Sequence, residues 1–475
     1  MGQTIGASEF SAADFAEFSR RLAAETALLR RWFDEQRFCT GPRTGGFELE
    51  AWLVDRQMAP APLIDELLVR VDDPLVVPEL ARFNLELNGT PQPLTGRALS
   101  HLHAELVRTL AHCEAAAVPL GARILRIGIL PTIRPEHLVL AQMTPRDRYR
   151  ALNEQILRLR GGTPIQLEIR GQQSIAIEQP DVMLEAAATS FQIHIRMQSG
   201  ESALMFNLGK ILAAPMVALG ANAAYLFGRE LWAETRVPLF EQAVAVGGPR
   251  LRQRVGFGIR YAKRSVLEVF ESNLSRYEVL LPHLHDTPPE ALAHLRLHNG
   301  TIWRWNRPLI GFDGPDWERP HLRLEHRVVA SGPSAADDVA NAAFLFGCLH
   351  ALAAEHSPLP ALIPFVQARA NFYRAARFGL SAAVRWTDGT RIPLWRLILE
   401  DLLPRADAGL AALGIDADER DRWLGIVRER ARTQRTGSAW ARAWVARHGN
   451  QMEALTAAYL AQQTTGRPVH EWPLD

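Results

Sequence analysis

Four short stretches of the chain alternate apolar residues with charged or amide side chains, the period of a half-buried β-strand. They cover residues 46–52, 83–88, 190–196 and 322–327. In each, one face packs on apolar neighbours while the other carries side chains suited to chemistry. Glu48 and Glu50 share the first such face and Glu86 lies on the second. Gln192 and His194 occupy the third, and Glu325 and Arg327 the fourth. An apolar run over 123–130, stopped by Pro131, and an alternating segment over 166–170 between Gly162 and Gly171 read as further strands. About six strands result. Strict alternation predicts an antiparallel sheet with one packed and one wet face, because buried parallel strands read as unbroken apolar runs.

Helical spacing predicts an amphipathic helix over 10–37, with Phe15, Phe18, Leu22, Leu28 and Leu29 on its apolar side. Further helices are predicted over 97–117, over a nearly apolar and therefore buried 202–226, and from Ser334 to about Ala354 after a capping-box-like start. From about residue 360 the pattern is helical, broken near Pro393, Pro404, Gly414 and Gly437. The fold class is α+β, an antiparallel sheet backed by helices with a helical C-terminal third. The expected division is an N-terminal helical segment over 1–40, a core over 41–355, and a helical region over 356–475 packed on that core.

Composition narrows the function. The 475 residues are 47% hydrophobic and 22% charged, enough for a large core. A net charge of +1 supplies no field to recruit nucleic acid or an anionic membrane, so neither partner is expected. Cys39, Cys113 and Cys348 are too scattered for a disulfide framework or a structural zinc site. The N-terminus lacks a basic segment followed by an apolar run, and no stretch approaches 18 apolar residues, so a cytoplasmic protein is expected.

Two carboxylates two residues apart on a strand face lie roughly 6.5–7 Å apart, a spacing that brackets one hard cation or serves two neighbours. Glu86 and Glu325 complete an oxygen-rich set suited to magnesium. Unpaired carboxylates on one face repel, so water or cations must compensate. Arg327 adds a fixed positive charge suited to a transferring phosphoryl group, and Gln192 and His194 are neutral ligands or hydrogen-bond partners. Any one of these strands alone also fits an ordinary solvated sheet face, and Glu325 with Arg327 an ordinary ion pair. Their joint occurrence favours a metal–phosphate site. Elsewhere, His101 with His103 and His283 with His285 read as poor metal pairs. Gly256 and Gly258 read as a turn, followed by Lys263 and Arg264 in a basic turn. Trp303 and Trp305 share a strand face, as a pocket floor or as core.

These motifs resemble the glutamate–cysteine ligase family and its carboxylate–amine ligase relatives. Residues 46–50 resemble the family's opening Gly-x-Glu-x-Glu strand, and 85–91 its second metal-binding strand. Residues 189–196, followed by 199–201 and a long apolar helix, resemble the central strand–helix unit. Residues 323–327 resemble the Glu-x-Arg strand, and 229–236 the Arg/Trp-containing substrate loop. The resemblance implies a glutamine-synthetase-like fold, a sheet forming a funnel lined with metal-binding carboxylates. It implies magnesium, with manganese as an alternative, on Glu48, Glu50, Glu86, Gln192 and Glu325, and catalytic roles for Glu325 and Arg327. Contacts to substrate or nucleotide are implied for His194, Arg229, Trp232, Arg236 and Arg323. The implied reaction uses ATP to activate a carboxylate, glutamate's γ-carboxylate in the named enzymes, as an acyl phosphate captured by an amine such as cysteine. His194 stands where the family often has Asn, which opens the identity of the amine. A different acid and amine, or a silent relative that only binds nucleotide or amino acid, are the competing readings.

Overall fold

The computed structural model describes residues 5–6, 9–248 and 253–474. The N-terminal leader reading rests largely on residues outside this set. Strands run in chain order as β1 Thr44–Val54, β2 Val76–Pro78, β3 Asn84–Asn88, β4 Gln92–Pro93 and β5 Arg123–Leu125. They continue as β6 Ile165–Arg170, β7 Ser174–Gln179, β8 Ser190–Met197, β9 Tyr225–Leu226 and β10 Arg229–Glu230. β11 Asn306–Phe312 and β12 Pro320–Ala330 follow, and a small hairpin, β13 Ala383–Arg385 with β14 Arg391–Pro393, interrupts the helical C-terminal third.

The main sheet has the order β11-β12-β8-β1-β3-β2, and β4 and β5 also pair with β1. Every pairing in it is antiparallel. Its apolar face is a grid of cross-strand neighbours: Leu324 opposite Ile195, Phe47 opposite Ile193, Leu49 between Phe191 and Leu87, and Ala51 opposite Leu85. Helices Ser202–Leu219 and Ala335–Ala354 cover that face and each other. The first is apolar and long enough to cross a membrane, but 89% of its apolar window is buried inside the protein. The second starts at Ser334, whose hydroxyl accepts from the Asp337 amide, and Asp337 in turn binds the buried Arg430 at 2.7 Å.

Three expectations are revised. Residues 166–170 alternate as predicted but lie in β6, which pairs only with β7 in a ribbon outside the main sheet. The run 123–130 is a strand only to Leu125. Gly128 then passes so close to Ala330 and Ala223 that no side chain fits, and the Ile127 carbonyl accepts from the Trp52 indole at 3.0 Å. The apolar helix stops at Leu219 because Gly220 is wedged against Val329, and residues 225–226 become β9 instead.

The C-terminal helices attach through a close crossing. Helix Leu403–Ala412 lies against Ala335–Ala354 with Gly347 facing Ala406 and Gly409, backbone to backbone. A methyl group at either glycine would collide with a main-chain carbonyl that cannot swing aside. Gly347→Ala is therefore expected to destabilise the protein by about 2–3 kcal/mol through overpacking. Urea unfolding measures this, and an unchanged midpoint would show that the two helices can separate without cost.

Candidate active site

The polar face of the sheet is organised in rows that cross the strands. In one row Arg307 on β11 is opposite Glu325 on β12, which is opposite His194 on β8, which is opposite Gly46 on β1. In the next, Gln192 is opposite Glu48, which is opposite Asn88. Glu50 is opposite Glu86, itself opposite Val77, and Glu79 follows β2 two residues on. Directly opposed side chains sit about 5 Å apart at Cβ, so register alone groups these carboxylates.

The face is not wet. Glu86, Gln192, His194 and Glu325 are all buried, because helices and loops outside the sheet roof it. Two ligand clusters result. Glu48, His194 and Glu325 each bring a donor atom within 4.8 Å of the others, and so do Glu50, Glu79 and Glu86. In the first, His194 Nε2 is buried without a hydrogen-bond partner, 3.6 Å from Glu48 and 3.9 Å from Glu325. Burial pushes this imidazole down to about 4, so it is neutral and offers a lone pair. Burial alone would raise Glu325, but Arg307 and Arg327 outweigh it and hold the carboxylate well below its usual range. Arg307 grips both its oxygens at 2.7 and 2.8 Å.

The second cluster has no such arginine fork. Burial, together with the neighbouring carboxylates, raises Glu50, Glu79 and Glu86 above the usual value. Three carboxylates forced together in this way, Glu86 buried and the others half-buried, fit a hard divalent cation, and the orphaned imidazole fits one in the first cluster.

Two chambers open on the clusters and share Glu48, Arg148, Gly300 and Arg307. One, of about 340 Å³, is lined by Arg148, Arg196, Arg296, Arg307 and Arg323, with Phe270 and Leu309 among its apolar walls. The other, of about 600 Å³, sets Glu48, Glu50, Glu79, Glu86, Glu185 and Asp147 against Arg146, Arg148, Arg150, Arg307 and Arg327, a narrow acidic excess, beside Tyr149 and Trp303. An arginine-rich chamber and one of mixed charge thus meet at Glu48 and two shared arginines.

The model of glutamate–cysteine ligase family 2 matches residues 44–461, most of the chain and every strand and residue just described. The chain belongs to that family. No curated protein sequence matches it. Among solved structures it is similar to glutamate–cysteine ligase from Francisella tularensis, determined in complex with AMP, at a TM-score of 0.56 and 12% identity over 92% of this chain and 91% of that one. It is also similar to a bifunctional glutathione synthetase from Pasteurella multocida, at 0.53 and 13% identity over 89% of this chain and 52% of that one. At such identities the likeness is one of fold, a curled antiparallel sheet of the glutamine synthetase type. As a family 2 member the chain is an ATP-dependent carboxylate–amine ligase acting on small molecules.

The ligase face gathers Glu48, Glu50, Glu86, His194, Arg323, Glu325 and Arg327 around the two chambers. His194, implied as a substrate contact, sits as the third donor of the first cluster. Gln192, implied as a metal ligand, uses its amide otherwise: its oxygen accepts from Arg327 at 2.5 Å and its nitrogen donates to Glu50 at 2.8 Å. Arg229 and Trp232 line neither chamber. Arg229 is exposed on the β9–β10 hairpin, and the Trp232 indole donates to the Arg170 carbonyl. Arg236 is buried and faces main-chain carbonyls. Trp303 lines the larger chamber, whereas Trp305 is core against Phe240 and Phe372.

Glu79, Arg148, Glu185 and Arg307 escape a reading of strand periodicity. Glu79 follows a strand of three residues, too short to show a period, and Glu185 lies in a short 3-10 helix. Arg148 stands in the first turn of helix Asp147–Leu159. Only Arg307 had a signal, in the aromatic and basic stretch ahead of β12.

Burial, then the Glu50 charge, pushes Glu185 up to about 7 from 4.5. Between those pH values the folded protein holds a proton that the unfolded chain releases, so this residue's contribution to stability falls as pH rises. In EDTA, Glu185→Gln should therefore gain stability over the unmodified protein between pH 5 and pH 8, reaching about 2–3 kcal/mol. Urea unfolding at both pH values tests this; an equal difference at each would refute the buried-charge account.

Proposed function

We propose that this ligase activates the γ-carboxylate of glutamate with ATP and joins it to an amine, cysteine being the acceptor named by the family. The observation that carries the reading is the meeting of an arginine-lined chamber and one of mixed charge at Glu48, with Arg327 between the two ligand clusters. Arg296 and Arg323 suit a triphosphate, with Arg307 and Arg196 beside them already paired to Glu325 and Asp313, and the apolar Phe270 and Leu309 suit a base. The carboxylates of the larger chamber suit a substrate's ammonium group, and the arginines along its wall suit the substrate's carboxylates.

In the first step a carboxylate oxygen attacks the terminal phosphorus and the bond to ADP breaks. In the second the amine nitrogen attacks the acyl carbon, inorganic phosphate leaves, and the nitrogen gives up a proton. Magnesium or manganese would be held by Glu48, His194 and Glu325 and by Glu50, Glu79 and Glu86, and supplies charge neutralisation on phosphate oxygens. Arg327, held between Glu325 at 3.3 Å and Gln192, is placed to stabilise the charge that develops on the transferring group. Arg307 keeps Glu325 ionised and oriented. No side-chain nucleophile is required.

A bulkier acceptor is the second reading. The 600 Å³ chamber, walled by Trp303, Tyr149 and Leu80, lies near the middle of the range for small-molecule sites and is larger than glutamate alone needs.

The test is to supply glutamate labelled with ¹⁸O in its γ-carboxylate, with ATP, magnesium and a panel of amines. Label should appear in inorganic phosphate alongside ADP. Formation of AMP, or no acid–amine pair raising phosphate release above background, would defeat the proposal. Glu48→Gln and Arg327→Ala should each lower kcat by about 10³-fold or more with the far-UV circular dichroism unchanged.

A further inference from the structure

β12 is irregular where it matters. Glu325 is opposite His194 and His326 opposite Ile193, but the next pair is Val329 with Phe191. Arg327 and Val328 therefore share the single position opposite Gln192, one residue too many for the ladder, which is a β-bulge. Arg327 follows Glu325 onto the carboxylate face by ordinary alternation, and the extra residue after it lets Val328 and Val329 both stay fully buried. A bulge also strands main-chain groups, which must find partners when buried.

The partner is Arg236. Its guanidinium donates to the Arg327 carbonyl at 3.3 Å and to the Val328 carbonyl at 2.6 Å, spanning the bulge with two prongs. The Arg327 amide donates to the Trp305 carbonyl at 2.9 Å, which closes the other side. Arg236 is 2% exposed and is fixed in turn. Its Nε donates to Glu234 at 3.2 Å, its plane lies over the Trp305 ring at 5.5 Å, and Glu234 is anchored by the Asn222 amide at 3.0 Å. A small cavity of about 20 Å³, lined by Glu50, Glu185, Ser190, Arg236 and Arg327, lies behind the bulge and leaves room for it to relax if the brace is removed.

We propose that Arg236 is a positioning residue for phosphoryl transfer, holding the β12 bulge so that the Arg327 guanidinium stays between Glu325 and Gln192. The fork is what the task needs: one planar group meets two carbonyls on one bulge, whereas a lysine ammonium meets one in fixed geometry and a methionine meets none. The inference rests on the reading of Arg327 given above.

Steady-state phosphate release with saturating acid and amine tests it on Arg236→Met, Arg236→Lys and Arg327→Lys, and on Arg236 substitutions placed in the Arg327→Lys background. Arg236→Met should lower kcat by roughly 10–100-fold, the size expected when a catalytic group shifts by about 1 Å, with the KM for ATP changing much less. Arg236→Lys should fall between that variant and the parent. In the Arg327→Lys background either substitution should cost less than about 2-fold more, because a residue acting through another has no further effect once its target is altered. A loss that multiplies in the double variant, or a kcat for Arg236→Met near the parent value, overturns the proposal. If Arg236→Met does not fold, the cycle with Arg236→Lys decides in the same way. If instead Arg327→Lys leaves kcat unchanged, the phosphoryl role of Arg327 fails, and that outcome is separate from the behaviour of Arg236.

Discussion

Buried like charge is the constraint around which this molecule is built. Glu48, Glu50, Glu79, Glu86, Glu185 and Glu325 face one enclosed region between the sheet and its roof. Desolvation alone disfavours every one of these charges. The protein answers differently on the two sides. Around Glu325 it supplies guanidinium: Arg307 in a two-pronged grip and Arg327 alongside, so the carboxylate stays ionised despite burial. Around Glu50, Glu79 and Glu86 there is no two-pronged guanidinium: the Asn88 amide meets Glu86, the Ser190 and Gln192 nitrogens meet Glu50, and the Arg327 charge lowers Glu50 without overcoming burial. The first arrangement is self-sufficient electrostatically, whereas the second is complete only with added positive charge.

The sheet makes this affordable because register does the grouping. Glu50 faces Glu86 and Glu48 faces Gln192 and Asn88 as a consequence of strand pairing, so no long side chain has to be frozen in an extended reach. The pairing is enforced from the opposite face. There a slip of one residue would turn Phe47, Leu49, Ile193, Ile195 and Leu324 away from helices Ser202–Leu219 and Ala335–Ala354 and expose them to the chambers. The greasy side fixes the register, and the register places the carboxylates. The ladder on β12 is broken by a bulge at Arg327 and Val328, just past the point where alternation has placed Arg327.

The same division explains what the amino-acid sequence reveals. Glu48, Glu50, Glu86, Glu325 and Arg327 are legible because each lies on a strand long enough to display its period. The antiparallel sheet is legible for the same reason, whereas its funnel shape comes from the family resemblance. Glu79 and Glu185 are silent because their elements are too short to have a period. Gln192 was located correctly on the polar face, but no pattern discloses that its amide is committed to Arg327 and Glu50. Arg229, Trp232 and Arg236 share a basic and aromatic segment that reads as a substrate loop. Its actual division, into an exposed hairpin residue, an indole on the Arg170 carbonyl and a buried brace, depends on where the chain turns at β9 and β10. Periodicity reports which face a residue occupies; it does not report which neighbour claims it.

The donor sets of the two clusters differ in a way that bears on their cations. Glu50, Glu79 and Glu86 offer oxygen only and three negative charges, a hard site that suits magnesium or manganese by charge. Glu48, His194 and Glu325 offer two carboxylates and a neutral imidazole, and one of those carboxylates already shares its charge with Arg307 and Arg327. A weaker field and a nitrogen donor bind a strongly hydrated ion less tightly and shift preference toward manganese. An asparagine at position 194 would give an oxygen donor and reverse that tendency. On the proposed reading, the carboxylate-rich cluster would be the stronger cation site. The imidazole cluster, opening on the arginine-lined chamber, is the one better suited to a cation that arrives and leaves with phosphate.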